Sequence, residues 1–191
     1  MPSVRTLLAN NRALVRFVAI MVAAYLVWYV IYDLWLLPDG RLDEWLSIKV
    51  AGWTAGLINL FGGEAVHAER IVRMPGTLGI QLINGCNGLA VLSLFVGFVL
   101  AYPGSWARRA WFIPLGIVVV LGTNVVRCAV LLLLQRQSME AFEAGHGGAG
   151  LVVFYFVVFL LWMVWARIGG GEAPRKKDPP PRLTTPEAVP A

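Results

Sequence analysis

Long apolar runs with almost no charges constrain this chain more than any other feature. Residues 14–37, 86–102, 111–134 and 149–166 are such runs, and the charges gather at the two ends and in short connectors. In lipid every backbone polar group must find its partner within the protein, so runs of about 18 or more apolar residues read as spanning helices. Of the 191 residues 58% are hydrophobic and only 14% charged, against roughly 25% charged in a soluble domain. A soluble fold of this size could not cover that much apolar surface. The chain is therefore read as an all-α integral membrane protein, a bundle of four to five transmembrane helices spanning residues 1–168, followed by a Pro-rich tail, 169–191, too polar to pack.

The net charge of +5 is a topology signal here, and nucleic acid is not an expected partner. Arg5, Arg12 and Arg16 precede the first run, Arg108 and Arg109 fall in a short connector, and Arg167, Arg175, Lys176, Lys177 and Arg182 follow the last run. The excess of Lys and Arg on cytoplasmic connectors assigns all three groups to the cytoplasm. This implies a multi-pass protein of the cell inner membrane with both termini inside. The first run is longer than the apolar core of a signal peptide and no small-residue cleavage site follows it, so it is expected to remain as an anchor.

Between the first two strong runs lies a weaker one, 42–61, which carries Asp43, Glu44, Lys49 and Asn59. A full crossing there would put Arg108 and Arg109 on the side opposite the N-terminus, against the charge rule. An interfacial or re-entrant segment fits that rule better than a fifth span. The polar stretch 62–85 contains Met74-Pro75-Gly76-Thr77, with Pro and Gly at the central positions of a type II turn. The alternation of Leu78, Ile80 and Leu82 after it predicts a small extracytoplasmic β-hairpin.

Three residue types with chemistry to offer fall at one depth under this topology. Cys86, in Asn84-Gly85-Cys86-Asn87-Gly88, opens a span on the outer side, where the positive end of a helix favours the thiolate and flanking glycines admit a substrate backbone. Arg127 lies about 24 Å along the span that enters at Trp111. A charge at that depth is costly unless it faces a partner or a polar cavity. Asn124, three residues earlier, shares its helical face. The alternative for Arg127 is snorkelling to the headgroups. His146, in Ala144-Gly145-His146-Gly147-Gly148, precedes the last span and could carry a proton for a thiol, or could simply be solvated. His67 reads as a surface residue and Cys128 as core. The two cysteines form no CxxC pair, and two histidines without intramembrane carboxylates supply no metal site. No cofactor is expected.

In order along the chain, Cys86-Asn87-Gly88 opening a span, Asn124-Val125-Val126-Arg127 in the next and His146 before the last resemble the exosortase/archaeosortase family. With Ala101-Tyr102-Pro103-Gly104 and the Trp111–Gly116 segment, the region from Cys86 to Trp165 looks like the short single-domain exosortases of the exosortase X kind. The N-terminal half resembles them in hydropathy alone. The resemblance implies a cysteine protease/transpeptidase without cofactor, in which Cys86 is the nucleophile, Arg127 stabilises thiolate or oxyanion, and His146 is the acid/base, with Asn87, Gly88 and Asn124 in support. Its partners would be membrane lipid and exported proteins carrying a C-terminal transmembrane sorting signal, cleaved on the extracytoplasmic side and passed to a surface acceptor. The competing reading is a non-catalytic scaffold for surface polysaccharide or protein export, whose Arg127 pairs with a partner helix. A transporter would call for polar residues in several spans.

Overall fold

The computed structural model describes residues 12–169; Arg5 and the tail beyond Gly169 lie outside them. Helix α1 (Arg12–Asp39) is followed by α2 (Arg41–Leu60), a sheet of β1 (Val66–Ala68), β2 (Ile71–Arg73) and β3 (Ile80–Gln81), and α3 (Leu89–Ala101). Next come the long α4 (Trp106–Gln137), the short α5 (Met139–Ala144), a wide turn Gly145–Ala149, and α6 (Gly150–Ile168). Three of the described helical runs are long and apolar enough to cross a membrane: Arg12–Asp39, Trp106–Gln137 and Met139–Ile168, the last bent at Gly147. With α3, a shorter apolar helix, they form the membrane bundle expected from composition. Helix α2 is not among them.

Two cores divide the molecule. The first joins Val91, Phe95 and Val99 of α3 to Phe112 and Val120 of α4 and to Phe154, Val158 and Trp165 of α6. Gly116 makes room for the Phe95 ring, and Gly104 and Gly169 for the Trp165 indole; a Cβ at any of them would collide with the ring. The second core sets one face of α2 (Leu46, Val50, Ala51, Ala55, Ile58) against Val125, Cys128, Ala129 and Leu132 of α4 and against Val72, Met74 and Leu82 of the sheet region. Small residues in that face let the helices approach closely. Cys128, 3% exposed, is a packing residue here.

The basic end of the bundle is built by helix-end capping. Arg108 and Arg109 lie in the first turn of α4, not in the connector. The Arg109 guanidinium donates to the carbonyls of Val99, Leu100 and Tyr102 at 3.2 Å each, which are the free acceptors at the end of α3. Arg108 donates to the Ile168 carbonyl at the end of α6, and Phe17 of α1 packs edge-on against Phe98 and Tyr102. Both cations thus meet the negative ends of helices.

At the other end α1 widens into a π-helical stretch, Tyr29–Leu36, and the chain turns back at Gly40 (φ 72°), whose N–H bonds the Leu36 carbonyl at 2.9 Å. The sheet has three antiparallel strands in the order β1-β2-β3, one more than the expected hairpin, because a tight turn at Glu69 (φ 50°) adds β1. The Met74–Thr77 turn is present, with Gly76 at φ 81° and the Thr77 N–H on the Met74 carbonyl at 3.1 Å. The alternation after it holds for Leu82, which is fully buried, and fails for Leu78, which is 75% exposed on the loop before β3.

Candidate active site

Cys86 does not open a helix. Its N–H closes a turn onto the Ile83 carbonyl at 3.0 Å, and α3 begins three residues later, at Leu89. Gly88 interrupts the helix with φ 89°, a left-handed conformation that side chains avoid, and the Asn87 Oδ1 accepts the Leu89 N–H at 3.1 Å as a cap. The thiol is half-buried and free. The helix-end field on it is therefore weaker than the sequence suggests, since that field falls off within a turn.

Side chains from other elements hold this turn. Asn124 of α4, fully buried, donates its Nδ2 to the Cys86 carbonyl at 2.9 Å. On its other side Asn124 Oδ1 faces the Arg127 guanidinium at 3.5 Å. The α-helical spacing of these two residues does this, placing both on one face one turn apart. Gly88 packs under the amide of Asn124, where a Cβ would lie at ordinary contact distance, 3.5 Å from Nδ2, so its left-handed φ and not lack of space calls for glycine. The Arg127 Nε is buried without a hydrogen-bond partner among the described residues. Arg127 also lines a cavity of about 280 Å³ between α4 and α6, whose other walls include Val126, Val130, Leu134, Val153 and Phe154.

His146 lies on the Gly145–Ala149 turn, exposed, with its ring stacked on Phe142 at 5.5 Å between centroids. Among the described residues it makes no hydrogen bond, and the structure does not bring it against Cys86 or Arg127. Its neighbour Gly145 lines the same cavity as Arg127, which puts the start of the turn against that cavity. His67 is exposed on β1, with its imidazole over Gly52 of α2. No group of three or more His, Cys, Asp or Glu able to hold a metal occurs among the described residues.

Two residues at this site carry no motif in the sequence. Asp43, fully buried in the first turn of α2, accepts from Asn87 Nδ2 at 2.7 Å and from the Tyr32 hydroxyl at 2.9 and 3.0 Å. Arg70, in the β1–β2 turn, donates to Asn84 Oδ1 at 2.7 Å. The signal for Asp43 was its charge within an apolar segment; the signal for Arg70 was absent, since a basic residue in a polar loop is unremarkable.

Fold and site together define a multi-pass helical membrane protein with a half-buried thiol and a part-buried guanidinium at one end of its bundle. The chain belongs to the transmembrane exosortase family (Exosortase_EpsH), whose family model matches residues 6–163. That match takes in α1, α2 and the sheet, so the family likeness reaches well beyond the second half of the chain, where the motifs lie. No curated protein and no solved structure matches the chain.

Proposed function

We propose that this protein is a membrane-embedded cysteine peptidase or transpeptidase that cleaves the C-terminal sorting signals of exported proteins. One observation carries the reading: the Asn124 carboxamide joins the Cys86 carbonyl to the Arg127 guanidinium, so nucleophile and cation share a single support. The apolar cavity beside Arg127, about 280 Å³, has room for a few apolar side chains of a sorting signal.

In the proposed cycle His146 takes the Cys86 proton and the thiolate attacks the scissile carbonyl. Arg127 stabilises the resulting oxyanion. Collapse of the intermediate breaks the C–N bond, His146 returns the proton to the leaving amine, and an acyl thioester remains on Cys86. An amine of the acceptor, or water, then attacks the thioester and frees the thiol. The cycle requires the glycine-rich Gly145–Ala149 turn to carry His146 toward Cys86 when substrate is bound. Tightening of catalytic contacts on binding is common.

The test is Cys86→Ala in cells that make a cognate substrate. Processing should stop while the variant still accumulates in the membrane. Normal processing by that variant would rule out thiol chemistry and leave the scaffold reading.

A further inference from the structure

We propose that Asp43 is a positioning residue for the Cys86 turn, acting through Asn87. The inference rests on the cysteine-enzyme reading above and adds to it a residue from the N-terminal half. Asp43 is fully buried, and among the described residues no cation lies within ion-pair distance of it. A carboxylate so placed is held only by what bonds it: Tyr32 from α1, Asn87 from the turn, and the positive end of α2, in whose first turn it sits.

Asn87 spends both ends of its carboxamide. Its Nδ2 is fixed by Asp43 at 2.7 Å and its Oδ1 caps Leu89 at 3.1 Å. The residue before it, Cys86, has its carbonyl fixed by Asn124 at 2.9 Å. The backbone around the thiol is thereby pinned from two sides, by α2 through Asp43 and by α4 through Asn124. With the Asp43 bond gone, the turn keeps the α4 anchor and the Arg70–Asn84 bond but loses its hold on the residue next to Cys86, and with it the thiol's defined place relative to Arg127. Asp43 touches neither solvent nor the cavity, so its part is to hold the turn; it has no direct part in proton transfer.

The titratable and charged groups around Cys86 are Asp43 from α2, Tyr32 from α1, Arg70 through Asn84, and Arg127 and Cys128 from α4. The experiment takes the full chain in membranes with Cys128→Ala, so that Cys86 is the only thiol, and follows alkylation by N-ethylmaleimide against pH. Asp43→Ala should move the midpoint of the profile upward by about one pH unit, which is about tenfold less thiolate at neutral pH. Asp43→Asn keeps an oxygen for the Asn87 amide and should hold the midpoint at or below that of the parent. Asn87→Ala cuts the same bond from its other end. It should reproduce the Asp43→Ala shift, with the two substitutions together giving no more than either alone.

Loss of the negative charge by itself favours the thiolate and lowers the midpoint, so a midpoint that falls equally in Asp43→Ala and Asp43→Asn would make the charge the agent and overturn the proposal. So would an unmoved midpoint in Asn87→Ala, which decides the matter even where Asp43→Ala fails to accumulate. A parent protein whose Cys86 titrates as an ordinary thiol would instead sink the enzyme reading, a result distinguishable from either.

Discussion

Arg127 shows how far a single side chain can be understood from its cost. A guanidinium in a spanning helix is expensive, and here one of its donors, Nε, is buried with nothing to bond among the described residues, while another reaches Asn124 Oδ1 only at 3.5 Å. A purely structural arginine would have these donors filled. A guanidinium with an unfilled donor beside a cavity is what an oxyanion site needs before substrate arrives. Lysine keeps the charge and loses the planar fork. Arg127→Lys should therefore leave the protein folded in the membrane and slow processing by about 100-fold or more, measured on a cognate substrate beside the unfolding midpoint in detergent. Processing within a few-fold of the parent would show that charge alone suffices. The residue was legible in the sequence because its expense is visible there without coordinates. Asp43 was not: in sequence it is one of several charges weakening segment 42–61, and only burial against Tyr32 and Asn87 separates it from exposed Glu44.

Helix ends were the least legible elements, because polar groups outside the element fix them. The apolar run from Cys86 to Tyr102 contains no stop that hydropathy could register, yet Asn87 and Gly88 delay α3 to Leu89. At its far end Arg109, half-buried, supplies three carbonyl bonds from the next helix. The basic pair reads correctly as a charge cluster and says nothing, in sequence, about capping. Hydrogen bonds to a charged donor contribute more than neutral ones, so Arg109→Ala should destabilise the bundle by about 2 kcal/mol, seen as a lower unfolding midpoint in detergent. Arg108, exposed and reaching the single Ile168 carbonyl, should matter less at the same readout. An Arg109→Ala protein as stable as Arg108→Ala would show that water caps α3 equally well. The sheet followed the same rule as the helix ends. The Pro75-Gly76 turn was readable from its residues, but the turn at Glu69 forces a non-glycine residue to φ 50°, and no sequence signal marks that.

At the scale of the whole molecule, the division into two cores gives the bundle its polarity. The core of α3, α4 and α6 ends at Arg108, Arg109 and Ile168, whereas α2, the sheet and the C-terminal half of α4 form the second core, with the Cys86 turn at the junction. Along α4, Arg109 and Asn124 are 15 residues apart in sequence, about 22 Å, so the turn lies most of a hydrocarbon thickness away from the basic end. From the charge rule we propose that the basic end faces the cytoplasm, which would put Cys86 on the extracytoplasmic side. Two exposed positions test this directly: Leu78, 75% exposed beside the sheet, and Trp106, 74% exposed at the start of α4. In a protein with Cys86→Ala and Cys128→Ala, Leu78→Cys should react with a membrane-impermeant maleimide in intact cells. Trp106→Cys should react only after the membrane is opened. The reverse pattern would turn the bundle over, put the thiol on the cytoplasmic face, and deny it any substrate that has already been exported. Labelling of both from outside would mean that the helices between them do not cross as their length and composition imply.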